Sequence, residues 1–507
     1  MKINAVCKRI FILICLFYGF ELNAQEVKLT LNVTPGNLES LLGSQQSVVT
    51  DLTLTGSINA SDVGGIRRSP LLSKLNLANV NLVAGGSFYV NQVITVTDNH
   101  IPDYMFFNLG NLISVVLPNS VISIGDQAFQ ECTALTSVTI GSKVTSIGFF
   151  AFGNCSELTS ITLPESLQTI SNQAFWSCQK LSSITIPASV TSIGNGVFAI
   201  CSALKSITVA DANSVYSSVS GVLFSKDKLM LITYPNSKST IYTIPDNVTS
   251  IGEYAFETCS GLASVVIGNN VTTIGEGAFY SCTGLTSVVI GSKVTSIGKN
   301  VFYNCSALNS VVIPNSVTYI GWDAFGYCTA MLSLSLGTGI TTIDIYAFDS
   351  CIGLKSITIP SGVTSIGDWA LSYCTSLTEV HSKPKAPPTA ASSTFYGIDN
   401  YNCKLYVPIG SSAAYRGATG WNVFRTFIEE PGTAIPLIGE SPLKVYTEND
   451  AVVINGTAYG DEILVYNMLG ELLYHSKAQS NVSRIELPLH NIYVVKVLGK
   501  TFKIVLL

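Results

Sequence analysis

The sequence predicts a repeat solenoid, mostly β, in which short parallel strands are joined by helical turns and a small β-sandwich follows at the C-terminal end. Cysteine recurs every 23 residues along the middle of the 507-residue chain. Phenylalanine stands three residues before the cysteine in nine of the ten copies, and isoleucine eight before it in all ten, as Phe129 and Ile124 do before Cys132. A fixed period of about 20–50 residues is the signature of stacked repeats, each of which buries its apolar face only against its neighbours. The repeat cysteines are Cys132, Cys155, Cys178, Cys201, Cys259, Cys282, Cys305, Cys328, Cys351 and Cys374.

Residues 1–24 predict a secretory signal peptide. Three basic residues precede the apolar segment Ile10–Phe20, and Ala24 offers a small residue for cleavage. The apolar segment has 11 residues, whereas a membrane-spanning helix needs about 20. Lipid attachment at Cys15 is the weaker alternative, because Ile14 stands where a lipoprotein signal has a small residue. The chain is therefore expected to be exported and to carry no transmembrane segment.

Residues 25–100 predict an N-terminal cap, because the terminal units of a repeat array need an atypical form to close the core. Val49–Gly56 and Lys74–Val80 have the β-branched, apolar character of strands. The segment between them, residues 59–69, predicts a short helix with Ser61 as its N-cap.

Residues 101–380 hold the repeats. One copy, Leu135 to Glu157, reads LTSVTIGSKVTSIGFFAFGNCSE. Its S-V-T-I and V-T-S-I stretches predict two short strands, and its A-F-x-x-C stretch, too short for an α-helix, predicts a helical turn. The copy at residues 202–259 is longer, and two apolar runs that flank Ser225–Lys228 predict a β-hairpin within it.

The run I-G-x-x-A-F-x-x-C-x-x-L, found for example at Ile147 to Leu158 and Ile274 to Leu285, resembles the leucine-rich repeat of BspA-like bacterial surface proteins. Two copies have Ser171 and Asp344 in place of the glycine, and the last has Leu371 in place of the phenylalanine. The resemblance implies a leucine-rich-repeat array that binds extracellular proteins or cell surfaces, as in adhesion, and does not catalyse a reaction.

Export normally favours disulfide bonds, but the repeat cysteines are expected to be reduced and buried. Leu109 occupies the cysteine position of the first copy, 23 residues before Cys132, and leucine replaces cysteine most readily where the side chain fills an apolar core. Disulfides and a metal site are the weaker alternatives. Four histidines are present, but none pairs with the cysteines at ligand spacing; they are His100, His381, His475 and His490.

Beyond the repeats, residues 381–430 resemble the C-terminal cap of BspA-like arrays, and residues 431–442 predict a linker. Residues 443–507 predict a β-sandwich of short strands separated by turns. The runs Val465–Leu473 and Ile492–Val497 resemble the C-terminal sorting domain of the type IX secretion system, which implies a protein secreted by, or held on the outer surface of, a Gram-negative bacterium. A β-domain without a sorting role is the alternative.

Composition excludes several functions. Charged residues make up 12% of the chain, the net charge is −5 and no basic cluster is present, so nucleic acid is not expected as a partner. The sequence has no H-E-x-x-H, G-x-S-x-G or phosphate-loop motif. We therefore expect no enzyme activity and no cofactor.

Aromatic residues after Cys259 are the candidate partner-binding residues, because tyrosine and tryptophan anchor interfaces at low cost in entropy. They fall at a few fixed positions before the cysteine, so they should form columns along one side of the solenoid with substantially exposed rings. Packing between neighbouring loops is the simpler interpretation. A glycan-binding module and a self-associating structural or biofilm protein are alternative functions. The candidates are Tyr254, Tyr280, Tyr303, Trp322, Tyr327, Tyr346, Trp369 and Tyr373.

Overall fold

The computed structural model describes residues 26–90 and 92–430 and then the segments 444–448, 451–455, 461–467, 472–477, 482–488, 491–497 and 500–506. The predicted signal peptide (1–24) and linker (431–442) lie outside the described residues. The chain divides into an N-terminal unit, residues 1–226, and a C-terminal unit, residues 227–507. Each unit is described by itself.

The repeats contribute short strands to two parallel ladders, usually two strands per copy; the copy that contains Ser160 contributes only Thr169–Ile170. Ser146 and Ile147 pair with Thr169 and Ile170, 23 residues later. Ser264 pairs in the same way with Ser287. Because residues of equal phase stand side by side, one copy is one turn of a β-solenoid, which confirms the predicted repeat fold and its parallel strands.

The N-terminal unit has its first ladder in two sheets, Lys28–Val33, Asp51–Ile58, Lys74–Leu82, Ser114–Val116 and Ser137–Thr139, then Ser183–Ile186 and Ser206–Val209. Its second ladder consists of His100–Ile101, Ser123–Ile124, Ser146–Ile147, Thr169–Ile170 and Ser192–Ile193. Antiparallel hairpins pair Phe88–Val90 with Gln92–Ile94 and Tyr216–Val219 with Val222–Ser225. The helices are Leu38–Leu42 and Ala60–Arg67, with a 3-10 turn at Gly43–Ser47.

The C-terminal unit has its first ladder in Ile241–Thr243, Ser264–Val266, Ser287–Val289, Ser310–Val312 and Ser333–Ser335, then Ser356–Ile359, Glu379–Ser382, Lys404–Pro408 and Thr426–Glu430. Its second ladder consists of Met230–Thr233, Ser250–Ile251 and Thr273–Ile274, then Ser296–Ile297, Tyr319–Ile320, Thr342–Ile343 and Ser365–Ile366. Helix Ser412–Gly417 and the 3-10 turn Trp421–Val423 lie near the end of the array, where Trp421 is fully buried and its indole N–H donates to the carbonyl of Pro388 at 2.8 Å.

The core is a column of identical side chains that stack from copy to copy. In the N-terminal unit the Phe152 ring lies between those of Phe129 and Phe175, with centroids 5.0 and 5.3 Å apart. In the C-terminal unit the corresponding stack runs from Tyr234 to Phe348. All these rings and all ten repeat cysteines are buried, and the cysteines are free, as predicted.

The A-F-x-x-C stretches are not helical turns, so that prediction is wrong. In every copy the residues five and one before the cysteine have positive φ, as in Tyr254 and Thr258, both at 56°. A right-handed helical turn requires negative φ. From the first of these positions to the cysteine, successive backbone N–H groups donate alternately to the next copy and to their own copy. The result is a series of linked turns.

One local prediction in the N-terminal unit also needs correction. The helix Ala60–Arg67 is capped by Asn59, not Ser61: the Asn59 side chain accepts from the backbone N–H of Ser61, and Asp62 completes a capping box. Strands Val222–Ser225 and Met230–Thr233 lie on either side of the predicted turn in the long copy, as expected. A further hairpin, which the sequence reasoning did not predict, turns at Ser220 and Gly221. Gly221 has φ of 80°, which glycine adopts at little cost and which places the turn there.

The described part of residues 443–507 forms two antiparallel sheets, in agreement with the predicted β-sandwich. One sheet contains Lys444–Glu448, Ala451–Asn455 and Val482–Glu486; the other contains Leu472–Lys477, Glu462–Asn467, Asn491–Val497 and Lys500–Leu506. Val452, Ile463, Val465 and Val495 belong to a buried apolar core between these strands. Among the described residues of the whole chain, no helix is both long and apolar enough to cross a membrane.

Candidate partner-binding surface

The candidate surface is built from the eight residues that end at each repeat cysteine, such as residues 252–259, which we call the turn segment. The backbone N–H of Tyr254 donates to the carbonyl of Glu276 in the next copy, and that of Phe256 donates to Ala278. The backbone N–H of Glu257, which follows Phe256, donates to the carbonyl of Tyr254 within the same copy. In residues 252–259 this alternation buries the alanine, phenylalanine and cysteine and leaves Glu253, Tyr254, Glu257 and Thr258 nearer to solvent.

Two groups of contacting aromatic rings lie along the turn segments of the C-terminal unit. In the first, Tyr280 stacks on Tyr303 at 5.0 Å, and Tyr327 meets Tyr303 edge-on at 5.5 Å. Residues of equal phase lie one above the other along the solenoid, so the faces of the stacked rings pack against each other. The hydroxyl groups and ring edges are left for solvent.

The second group joins the last repeats to the segment that follows them. Tyr346 stacks on Trp369 at 6.2 Å, and Tyr396 meets both Trp369 at 5.0 Å and Tyr373 at 5.5 Å. Tyr396 was missed by the sequence reasoning, although it stands 23 residues after Tyr373. The signal that would have found it is the 23-residue period continued one copy beyond the last repeat cysteine.

The remaining two candidates lie outside these groups. Trp322 carries the ammonium group of Lys299 over its ring at 5.0 Å, and this ammonium also pairs with Glu276 at 2.7 Å. The Tyr254 ring lies against Gly277, where an added Cβ would come within 2.5 Å of it. The Tyr254 hydroxyl donates to Glu276 at 3.4 Å, and burial, with this carboxylate nearby, raises the pKa of Tyr254 to about 12.

The rings differ in exposure. Trp322, Tyr327, Tyr373 and Tyr396 are exposed, at 44%, 45%, 46% and 51%. The expectation of substantial exposure is not met for the other five, which are half-buried because they pack on the next copy: Tyr254, Tyr280, Tyr303, Tyr346 and Trp369. The surface therefore combines packing between loops with exposed aromatic edges. We call these nine residues the aromatic ridge.

Acidic side chains share the turn segments with the ridge. From residue 252 to residue 374 these segments contain seven acidic residues and one basic residue, Lys299. In the N-terminal unit the three segments that end at Cys155, Cys178 and Cys201 contain no charged residue. The acids are Glu253, Glu257, Glu276, Asp323, Asp344, Asp349 and Asp368.

Two of these carboxyl groups are held partly out of water. Burial raises the pKa of Glu257 to about 7, and its Oε2 atom is buried without a hydrogen-bond partner. Burial and the nearby Asp349 raise the pKa of Asp323 to about 6. No group of three or more residues in the described part of the chain is arranged to hold a metal ion.

A solenoid of this type, with a two-strand repeat and a stacked phenylalanine core, defines a leucine-rich-repeat protein. The sequence profile of the BspA type leucine rich repeat region, in six copies, matches residues 99–230, 228–354 and 322–407. These matches cover more than half of the chain, which therefore belongs to the BspA-type leucine-rich-repeat family. No curated protein matches the chain with significance.

Solved structures of several bacterial proteins are similar to this chain. A leucine-rich repeat protein from Eubacterium ventriosum has 25% identity over 57% of this chain and 95% of its own, with a TM-score of 0.44. A leucine rich cell surface protein from Faecalibacterium prausnitzii has 27% identity over 70% and 82%, with a TM-score of 0.45. The pneumococcal vaccine antigen PcpA has 20% identity over 81% and 91%, with a TM-score of 0.48.

Proposed function

We propose that this chain is an exported, surface-associated protein of a Gram-negative bacterium that binds another protein through the aromatic ridge. The observation that carries the proposal is the concentration of nine aromatic residues on one repeated edge of the C-terminal unit, four of them exposed. Tyrosine and tryptophan are the residues that most often dominate protein interfaces. Membership of the BspA-type family supports a binding role over a catalytic one, because a repeat solenoid is typically a binding scaffold.

The ring arrangement favours a protein partner over a glycan. Sugars stack on the open face of an aromatic ring, and the faces of Tyr280 and Tyr303 are turned toward each other. One face of Trp322 carries the Lys299 ammonium group. Ring edges and tyrosine hydroxyls, which remain accessible, suit the hydrogen bonds and side-chain packing of a protein interface.

The test is a double substitution in the ridge. Tyr346→Ala with Trp369→Ala removes one stacked pair. The matched control, Phe150→Ala with Trp176→Ala, removes a tilted pair at 5.4 Å from the uncharged segments of the N-terminal unit. Binding is measured against a panel of purified extracellular and cell-surface proteins and against a glycan array, with circular dichroism to verify that each variant is folded.

We expect the ridge variant to bind its protein partner at least about 30-fold more weakly, the equivalent of about 2 kcal/mol for a pair of hot-spot residues. The control variant should retain binding. If both variants bind like the parent protein, the ridge serves only to pack the loops together. Binding to glycans alone would overturn the assignment of a protein partner.

We also propose that residues 443–507 direct the protein to its place of export. The supporting observations are the similarity of two strand runs to type IX sorting domains and an apolar core of their own among the described strands. Deleting 443–507 in the native host should leave the thermal transition of the array nearly unchanged and shift the protein from the cell surface to the periplasm. Undiminished surface display of a folded truncated protein would contradict the sorting role.

A further inference from the structure

We infer that the partner presents a cationic segment, rich in arginine or lysine, to the aromatic ridge. This inference rests on the proposed protein-binding function and specifies the chemistry of its partner. The turn segments that carry the ridge hold seven acidic residues and one basic residue. A surface that combines one sign of charge with aromatic rings is complementary to a segment that carries the opposite charge.

The carboxylates are interleaved with the rings along the ridge. Glu253 precedes Tyr254, and Asp368 precedes Trp369; both acids are exposed. Asp323 stands five residues before Cys328, the same phase as Tyr254 and Trp369. A guanidinium or ammonium group at this edge would therefore find a carboxylate and an aromatic ring within one or two copies, over a distance that a single side chain spans.

Lys299 shows how such a cation binds here. Its ammonium group lies 5.0 Å from the centre of the Trp322 ring and 2.7 Å from a carboxylate oxygen of Glu276. Glu276 and Trp322 belong to the copies before and after Lys299, so the cation bridges three successive turns of the solenoid. A partner's cation would find the same combination in the copy that ends at Cys374, where the exposed Asp368 precedes Trp369 and the segment contains no lysine or arginine.

Glu257 supplies a second, independent indication. Its Oε2 atom is buried without a hydrogen-bond partner among the described residues. It has the phase of Tyr280 and Tyr303, so it stands at the end of their stack. A buried acceptor without a donor is costly. A cation bound near this end of the stack would favour the ionised form of Glu257.

The same charges argue against anionic partners. Nucleic acids, acidic polysaccharides and anionic lipid headgroups would meet like charge along this edge, and like-charge contacts suppress binding. The basic residues of the repeats lie mainly outside the turn segments, as Lys238, Lys293 and Lys355 do. The ridge is therefore the part of the C-terminal unit that distinguishes cationic from anionic partners.

The test uses fluorescent ten-residue peptides as probes and the purified protein as target. One peptide alternates arginine with serine, one alternates glutamate with serine, and one alternates glycine with serine. The acid variant Glu253→Gln with Asp368→Asn removes two exposed carboxylates of the turn segments, each next to a residue of the aromatic ridge. The control variant Glu165→Gln with Asp246→Asn removes two exposed charges outside the turn segments. Fluorescence anisotropy is recorded between 50 and 300 mM salt.

We expect only the arginine peptide to bind, with an affinity that falls about tenfold over this range of salt. The acid variant should bind the arginine peptide at least fivefold more weakly, and the control variant should bind it like the parent protein. Equal binding of all three peptides, or equal weakening by both variants, would overturn the inference. If the peptide does not bind while Tyr346→Ala with Trp369→Ala still abolishes binding to a protein of the panel, the cationic partner is wrong and the protein-binding function stands.

Discussion

The thiol of Cys155 donates its hydrogen to the backbone carbonyl oxygen of Phe129, 3.2 Å away in the preceding copy. The same carbonyl accepts the backbone N–H of Cys132 at 3.1 Å. Equivalent thiol bonds of 2.9–3.3 Å join eight further cysteines to the phenylalanine of the copy before. Leu109 stands in the first copy. The residue 26 before it is Val83, which precedes the repeats, so no repeat phenylalanine is available there. The cysteine therefore provides a hydrogen bond between copies in addition to filling the core.

The buried repeat cysteines should react slowly with thiol reagents in the native protein. Burial raises the pKa of Cys282 and of Cys328 to about 12, and thiolate is the reactive form. We expect native protein to react negligibly with a thiol reagent and denatured, unreduced protein to release close to ten thiols from the repeats. Release of almost none would mean that disulfides form. Cys178→Ala should lower the free energy of unfolding by about 1–2 kcal/mol, because it removes a donor and leaves a small cavity.

The phenylalanine stack predicts a graded response to truncation. Phe175 is fully buried between Phe152 and Phe198, with centroids 5.3 and 5.7 Å away. Phe175→Ala should cost about 3–5 kcal/mol in urea unfolding. Phe175→Leu should cost clearly less, because Leu371 fills the same position in the last copy and is fully buried there. Equal losses for the two variants would mean that ring stacking, and not filled volume, stabilises the core.

The left-handed positions predict a stabilising substitution. Gln127 has φ of 55°, a conformation that costs most residues roughly 1 kcal/mol and glycine almost nothing. Gln127→Gly should therefore raise the thermal midpoint slightly. Gln127→Ala removes the same side chain without relieving the backbone, and it should not raise the midpoint. A lower midpoint for the glycine variant than for the alanine variant would contradict the explanation.

Glu257 predicts that stability falls as pH rises. Its pKa is about 7 in the folded chain and about 4.3 when unfolded, so the folded state holds the proton more tightly. Its contribution is fully present below about pH 4 and is lost as pH rises through 7. The nearby Tyr254, Cys259, Tyr280 and Cys282 stay neutral over this range.

Glu257→Gln should remove the part of this dependence that Glu257 causes and leave the part from Asp323, whose pKa is raised to about 6. It should stabilise the array at pH 8 by about 1–3 kcal/mol, a range reduced for partial exposure. Glu165→Gln, an exposed acid in another loop, should keep the parent profile. Thermal midpoints of the three proteins between pH 4 and 8 provide the measurement. Parallel profiles for the parent and Glu257→Gln would show that another group titrates.

The sequence alone determined the architecture, because a strict period means that every copy repeats the environment of its neighbours. The positions of Ile147, Phe152 and Cys155 were enough to predict parallel strands and a buried core of free cysteines. The resemblance of the I-G-x-x-A-F-x-x-C run was enough to predict the family. No coordinates were needed for these conclusions, because apolar residues at equal phase in successive copies are buried by stacking.

Only the tertiary structure decided the conformation of the turn segments and the surface they present. Tyr254 and Trp369 have φ of 56° and 59°, although bulky residues rarely adopt positive φ. Hydrogen bonds between copies impose this conformation, and local sequence preferences do not predict it. The same stacking turned the faces of Tyr280 and Tyr303 toward each other and brought Tyr396 to Trp369. The side chains that meet across copies decide the exposure and orientation of each ring and the pairing of Lys299 with Trp322. The period gives the position of a residue within its copy, but it does not specify which side chains that residue contacts.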